Sequence, residues 1–483
     1  MLEYPFIFYE GRDGGEENLS LVRPSVQWRG GARVWRNGEH QLWHGGAGVA
    51  LENSAWGLYY NPALLDMDDR TKLGYSFGMG VRDKNILPLA SSALQGFSLD
   101  DVSQMASQLP VSDIQKFLNG GSISVGANQS PEARTLVNVG NALKDFLGLN
   151  GLHLNSQNGI VVQFSPKVKK VKGGIGSFGV GIFGSVFAGA SGVADPRYNQ
   201  IILPISVGGH NIYAGAQINP NSITFQQSTQ SAYLNSSLLS PNANNALRVQ
   251  ALGIGSVPIG YAKGFDLKKA GRISVGVTFR YLYTLSYGFG VNGGGSAFLH
   301  RAEQLVDNFS FSMQDMVRQS HFGLDLGGAY RIKGFTVGLV GKYLNAPKIR
   351  YAYLPSMRID PQVRLGLGYR WKWLNLAMDF DLTSNKMLML DKRSQMIGGG
   401  VMFNWKWFGL KLGAMGNVAK EGLHQGVILT GGIRLFKVID ISVQSSLQMV
   451  ALGGAGAQGL LGSLSHLKIP NYLAMRIGGG WEW

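Results

Sequence analysis

Three groupings in this chain have residue types and spacings that could do chemistry. The run Gly174-Ile-Gly-Ser-Phe-Gly179 fits G-x-G-x-x-G, the spacing that lets backbone N–H groups close on a pyrophosphate. That use needs a strand-to-helix turn; these glycines sit inside a Gly-rich strand pattern, which disfavours dinucleotide binding. His40 and His44, four apart, would share a helix face and could hold a metal. Gly38, Gly45 and Gly46 flank them closely and argue against a helix, so they read as ordinary polar positions and no metal is expected. The third grouping is a set of charges on one face of alternating segments: Arg280, Arg331, Lys342, Arg364, Arg370, Lys411, Arg434 and Arg476 against Asp325, Asp379, Asp381, Asp440 and Glu482. Buried charges are normally paired, so the first reading is a structural ion-pair network. The second is a path attracting a carboxylate- or phosphate-bearing amphiphile. No G-x-S-x-G or P-loop occurs, and Cys is absent, which removes disulfides, thiolate ligands and cysteine nucleophiles. With no nucleophile beside a base, the chain reads as a non-enzyme without cofactor.

The elements that position those charges are strands. In Val363–Trp371, apolar Val363, Leu365, Leu367, Tyr369 and Trp371 alternate with Arg364, Gly366, Gly368 and Arg370. Successive strand side chains point to opposite faces, so each strand has one apolar and one polar or small face. The pattern repeats over 273–283, 322–332, 374–383, 397–405, 408–414, 427–435, 439–443 and 473–483. No window reaches the ~18 to 20 apolar residues of a membrane helix, so any span must be made of strands. Charged residues are only 15% of the 483, with 11% aromatic and 69 Gly, as for a surface that largely does not face water. The net charge of +15 is spread as single Lys and Arg residues without a compact basic helix, which points to anionic lipid or ligand and not to nucleic acid.

Connections alternate short and long. Tight turns are expected near Lys333-Gly334, Lys372-Trp373, Lys406-Trp407 and Phe436-Lys437, and long loops near 288–319, 346–360, 384–394 and 450–470. Short turns on one rim and long loops on the other characterise an up-and-down outer-membrane barrel. Trp371, Trp373, Trp405, Trp407, Phe408 and Phe436 sit on the short rim, where an interfacial girdle belongs. The expected fold is all-β: a transmembrane antiparallel barrel of about 14 strands, an even number as single-chain bacterial barrels have. The stretch 189–246 is an elaborate loop or one more hairpin, giving about 16. Helical spacing in Asp100–Leu118, Pro131–Leu147 and Arg301–Arg318 places helices in outer loops, within insertions at about 85–150 and 299–318. Their apolar stripes either pack over the mouth or form a groove for an apolar ligand.

Before the strands lies Gly45–Leu65, "GGAGVALENSAWGLYYNPALL". Gly45, Gly46 and Gly48 let backbone approach backbone, and Pro62 biases Asn61 away from helix. The segment resembles the N-terminal region of the FadL-type long-chain fatty acid transporter superfamily, and more closely its conjugal-transfer TraF-like branch. Gly46–Ala50 match the small-residue run and Asn61-Pro62-Ala63 the triplet before the first strand, while Leu64 replaces the Gly usual in fatty acid transporters. The resemblance implies an N-terminal hatch, residues 1–70, inside a barrel of residues 71–483, with ligand passing through a hydrophobic interior. Acidic Glu52, Asp66, Asp68 and Asp69 would offset part of the inward positive charge.

The resulting expectation is a monomeric channel of the bacterial outer membrane that takes up hydrophobic or amphipathic, fatty-acid-like molecules by diffusion. Its surroundings would be lipid and lipopolysaccharide. The alternative is a non-transporting scaffold of a secretion, conjugation or surface-assembly system, with an envelope-complex protein partner. The start, "MLEYPFIFYEGRDGG", has no basic n-region or apolar h-region, so an envelope location expects a leader already removed.

Overall fold

The computed structural model describes residues 47–51, 55–68, 70–84, 111–147, 151–166, 175–207, 210–295, 297–298, 301, 313–386, 393–405, 407–419, 426–436, 438–451 and 468–482. A short helix α1 (Gly57–Tyr60) and a 3-10 turn (Pro62–Asp66) precede the first strand, β1 (Lys72–Lys84). Then come α2 (Val111–Leu118), β2 (Ile123–Gly126) and α3 (Pro131–Leu147). The next hairpin is β3 (Gly151–Phe164) with β4 (Ser177–Val193), followed by β5 (Ile202–Val207), β6 (His210–Asn219), β7 (Ser222–Ser228) and α4 (Gln230–Ser236). The long hairpin β8 (Asn245–Asp266) and β9 (Arg272–Gly293) leads into β10 (Val317–Ile332) and β11 (Phe335–Lys342). A two-residue clip, β12 (Lys348–Ile349) with β13 (Met357–Arg358), separates these from β14 (Gln362–Trp371) and β15 (Leu374–Asp381). A second clip, β16 (Asn385–Lys386) with β17 (Arg393–Ser394), precedes β18 (Met396–Asn404), β19 (Phe408–Asn417), β20 (Ile428–Leu435) and β21 (Ile439–Ser446). A third, β22 (Met449–Ala451) with β23 (Lys468–Pro470), leads to the last strand, β24 (Tyr472–Glu482).

Fourteen of these strands form one closed antiparallel barrel. Closure joins the first barrel strand to the last, from Lys72 opposite Glu482 to Arg82 opposite Tyr472. Faces are inverted relative to a soluble barrel: Ile182 and Phe322 are 69% and 66% exposed on the outside, whereas Ser274 and Asp325 are 0% exposed on the inside. Two-residue turns make the short rim. Lys333 (φ 48°) and Gly334 (φ 83°) give the left-handed pair that matches strand twist. There the rings of Trp371, Trp373, Phe403, Trp405 and Phe408 follow one another at 5.7–6.2 Å, an unbroken aromatic belt.

On the long-loop side two expectations are corrected and one open alternative is decided. First, β8 and β9 run 22 residues each, far beyond the ~9–11 that cross a bilayer, so the loop after β9 begins at 294 instead of 288. Second, 194–244 adds no hairpin to the barrel: β5, β6 and β7 pair with β2 in a separate four-stranded sheet, order β2-β7-β6-β5. Helix α3, capped by Ser130 Oγ accepting from Ala133 N, lays Leu136, Val139, Leu143 and Phe146 on that sheet beside Ile218, Ile223 and Phe225. Its apolar stripe is thus spent on an internal core. Third, the expected helix 301–318 ends too late: Val317 and Arg318 are strand, held opposite Ser286 and Leu285 by the prolonged β9, and a 3-10 turn covers Met313–Asp315. Strand β2 lay inside the insertion read as helical, because four residues carry too little periodicity.

Candidate functional site

The barrel interior is built around residues 47–68. After α1, the pre-proline Asn61 takes an extended conformation (φ −153°, ψ 109°), which ends the helix and starts the 3-10 turn. Its side chain then ties three backbone strands together. Oδ1 accepts from Ala63 N at 3.1 Å; Nδ2 donates to Val49 O and to Gly328 O on the wall, each at 3.1 Å. Gly48 N and Val49 N donate to the Asp379 carboxylate of β15 at 2.9 and 3.2 Å.

The C-terminal carbonyls of α1 find cations. Leu58 O and Tyr59 O accept from Arg280 Nη2 at 3.3 and 3.4 Å, and Tyr59 O accepts from Lys342 Nζ at 2.5 Å. Lys342 also lies 4.1 Å over the Tyr59 ring. Arg280 in turn donates to Asp325 at 2.7 Å, and Asp325 accepts from Tyr343 N. Lower down, Asp66 accepts from Ser177 Oγ at 2.7 Å and from Gly264 N, and its own carbonyl accepts from Arg272. Gln163 Nε2 donates to Leu65 O at 2.7 Å. At the rim, burial pushes the Asp68 carboxyl up, but the Lys72 ammonium at 2.8 Å and the Arg70 N–H outweigh it, leaving it below the usual carboxylate range.

Where this segment comes closest to the wall, the wall residue is often glycine. A Cβ on Gly276 would stand 2.5 Å from Pro62 C, one on Gly368 2.6 Å from Ala50 O, and one on Gly264 2.7 Å from Asp66 O; on Gly327 it would overlap Asn61 Oδ1. These inward glycines admit the segment's backbone against the wall. Gly48 allows the same approach to the Tyr60 ring at 3.0 Å; Gly45 and Gly46 lie outside the described residues, as do His40 and His44.

The inward charges sort into three places. Arg280, Lys342, Asp325, Arg364, Asp379 and Asp381 surround the segment, with Arg364 bridging Asp381 at 2.5 Å and Asp379 at 3.5 Å. A second group on the far arc joins Lys411 and Arg434 to Asp440 at 2.6 and 2.9 Å, with Arg476 donating to Ser76 Oγ at 2.7 Å. Arg331 is half-buried towards the short-turn end, and Arg370 and Glu482 are exposed there, the latter paired with Arg70 at 2.7 Å. Glu52 and Asp69 lie outside the described residues. Among the described residues no acidic or His group is clustered as for a metal ion.

Two apolar surfaces went unread in the sequence. Trp56, Leu58, Tyr59 and Leu65 pack against Phe183 and Val161, with Tyr59 5.1 Å from the Phe183 ring. Above them the 343–361 connection folds inward, placing Ile349, Tyr351 and Ile359 on Phe187, Leu252, Ile254 and Leu282. Gln319 fastens it, accepting from Arg350 N and donating to Arg350 O, both at 2.9 Å. Phe183 and Phe187 lie on the inward face of β4, and the hatch and connection residues that meet them come from segments without strand periodicity.

Fold and site together define a transmembrane β-barrel with residues 47–51 and 55–68 inside its lumen. Chain organisation narrows this further. The protein belongs to the family described as "F plasmid transfer operon, TraF, protein", whose model matches residues 58–381, from α1 to the end of β15. No curated relative matches the sequence. Among solved structures, the Pseudomonas putida toluene transporter TodX is similar over 93% of this chain and 98% of its own, at 10% identity and TM-score 0.42. The Ralstonia pickettii toluene transporter TbuX is similar over 92% and 97%, at 10% identity and TM-score 0.28. CdiB from Acinetobacter baumannii is similar over 85% of this chain and 60% of its own, at 9% identity and TM-score 0.27.

Proposed function

We propose that this protein is a channel of the bacterial outer membrane that passes hydrophobic or amphipathic small molecules around a fixed N-terminal hatch, residues 1–70, seated in the barrel of residues 71–483. One observation carries the reading. The floor made by Trp56, Tyr59 and Phe183 and the roof made by Tyr351 and Phe187 meet the same inner wall, where Phe183 and Phe187 are separated by one inward residue, Ser185. At ~3.3 Å per residue the two rings are attached about 13 Å apart, with Ser185 between them and Gln157 and Ile254 beside it on the neighbouring strands, a distance an amphipathic molecule bridges. The inward cations supply attraction for an acidic head group. The full chain should therefore bind a fluorescent fatty acid saturably, and removal of residues 1–65 should change that binding. No saturable binding in either form refutes transport.

The second reading, a barrel scaffold of a conjugation or secretion apparatus, draws on the family and on the ionic weld of the segment to the wall. Each of Asp325, Asp379, Asp381 and Asp440 is bonded to a wall cation or to the segment's backbone, as suits a static plug. It predicts a stable envelope-protein complex recovered by cross-linking, together with absent ligand binding.

A further inference from the structure

Lysine marks the short-turn end of the barrel. Three hairpins lie side by side there, since the barrel runs β15-β14-β11-β10-β9-β8. Each turns through lysine: Lys372-Trp373 link Trp371 to Leu374, Lys333-Gly334 link Ile332 to Phe335, and residues 267–271, with Lys268 and Lys269, link Asp266 to Arg272. With strands ~4.8 Å apart and tilted ~40°, each hairpin takes up about 12 Å of rim, so the lysines recur at that spacing along one arc. All four are exposed, and among the described residues none of them enters an ion pair. The acids of this rim are already claimed: Asp266 by Arg272 at 3.2 Å, Asp68 by Lys72 at 2.8 Å and Glu482 by Arg70 at 2.7 Å. The other hairpin connections of the rim also hold lysine in the sequence, among them Lys170, Lys406 and Lys437.

Backbone conformation sets these lysines apart from an ordinary solvated surface. Lys268, Lys333 and Lys372 have φ of 55°, 48° and 44°, and of the described non-glycine residues that are left-handed at this rim only Phe436 is not lysine. An L side chain is disfavoured there, and Asn, Asp and Gly are the residues such turns usually take. Lysine has no short polar group to bond its own backbone in return, so the chain keeps local strain where it gains an ammonium group. Strain kept against a better local choice points to function. The position also selects the partner. A lysine that serves lipid phosphate reaches it from an ordinary strand position by laying its stem along the apolar wall. At a hairpin apex it stands at the end of the barrel, where an end-on partner meets it. Lys372 leans back, its Nζ 5.4 Å over the Trp371 ring, which fixes that charge at the rim.

We propose that this lysine arc is a docking surface for an acidic segment of a partner protein on the short-turn side of the membrane. A row of evenly spaced cations whose neighbouring acids are already paired is complementary to a carboxylate-rich chain. In an extended peptide, side chains four positions apart share a face and lie ~13 Å apart, which matches the hairpin spacing. The inference needs only the spanning barrel. It gives the scaffold reading a surface and holds equally if the lumen passes a ligand.

The test is fluorescence anisotropy of a labelled decaglutamate peptide with the full chain in phosphatidylcholine nanodiscs, where both rims are open to solvent. Binding should be saturable and weaken as salt is raised. Lys268→Asn, Lys333→Asn and Lys372→Asn together should weaken it about tenfold, as the loss of three exposed ion pairs does. The urea midpoint of the same variant should stay or rise, because Asn suits left-handed backbone. Lys268→Arg, Lys333→Arg and Lys372→Arg together should bind as the wild type does. Lys348→Gln, Arg358→Gln and Lys468→Gln, which remove three exposed cations from the long-loop end, should leave binding unchanged. Absent binding by the wild type, equal weakening by the long-loop variant, or a lower midpoint in the Asn variant overturns the proposal, the last because the lysines would then be structural. Unchanged peptide binding by the Asn variant, together with loss of retained phosphatidylglycerol in native mass spectrometry, also overturns it and makes the occupant a lipid. Heat-modifiable gel mobility reports whether each variant forms the barrel, and fatty-acid binding in the lumen is read separately.

Discussion

Asn61 offers the sharpest test of how the lumen is closed. It is 0% exposed and makes three hydrogen bonds, two as donor to Val49 O and Gly328 O and one as acceptor from Ala63 N. Asn61→Ala leaves two carbonyls and one N–H without that partner. At ~1 kcal/mol for each bond lost, the segment is destabilised by about 3 kcal/mol, which shifts its local opening equilibrium by roughly two orders of magnitude. Asn61→Asp should be worse, although it keeps the shape, because it turns a carboxylate oxygen toward two carbonyl oxygens. The barrel ladder is untouched by either change, so loss of protection should be confined to residues 47–68. Hydrogen exchange on that segment, read beside single-channel conductance in planar bilayers, measures it: both variants should exchange faster and conduct more often, Asp more than Ala. Equal protection of wild type and Asn61→Asp would show that this side chain does not hold the segment, and the weld described above would be wrong.

Neighbouring wall glycines should differ sharply: Gly327→Ala drives its Cβ into Asn61 Oδ1 and should lower the yield of heat-modifiable folded barrel, whereas Gly328→Ala meets nothing within 4 Å and should be neutral. In the outer domain, Ser237 Oγ accepts from Ile202 N and Leu239 N and donates to Ile202 O, so Ser237→Ala should cost about 2 kcal/mol and speed proteolysis of 194–244 while the barrel stays intact. Asp68 has its carboxyl held below the ordinary value of 3.8, so its contribution is present above about pH 4 and fades as pH falls through the lowered value. The protection factor of amides near Arg70, the observed rate divided into the intrinsic rate at the same pH, should therefore fall on acidification in the wild type and stay constant in Asp68→Asn.

Period-two alternation made the barrel legible, because each strand must serve lipid on one side and a polar lumen on the other. The strands from Gln362 onward fall within a few residues of expectation for that reason. Helix α3 was equally legible from Leu136, Val139, Leu143 and Phe146, but the sheet it covers was not: β2 is four residues long, and its partner β7 lies about a hundred positions away, with β6 and β5 beyond it. The inward charges were located by parity alone. Which of them would hold the segment was hidden, because Arg280 and Lys342 bond to backbone carbonyls, and carbonyls leave no mark in a sequence. Asn61 could be singled out by its Pro neighbour. Its wall partner Gly328 could not.

The glycine seat has a consequence for how the molecule is made. The segment at 47–68 leaves the ribosome before any of its wall, yet its contacts reach strands as distant as β15, with Gly48 waiting on a carboxylate 331 positions later. Such long-range contacts must be closed before they stabilise anything. Any agent that holds this stretch until the wall arrives therefore acts on residues made before the barrel, and a defect in the seat emerges first as failed assembly of an otherwise sound barrel.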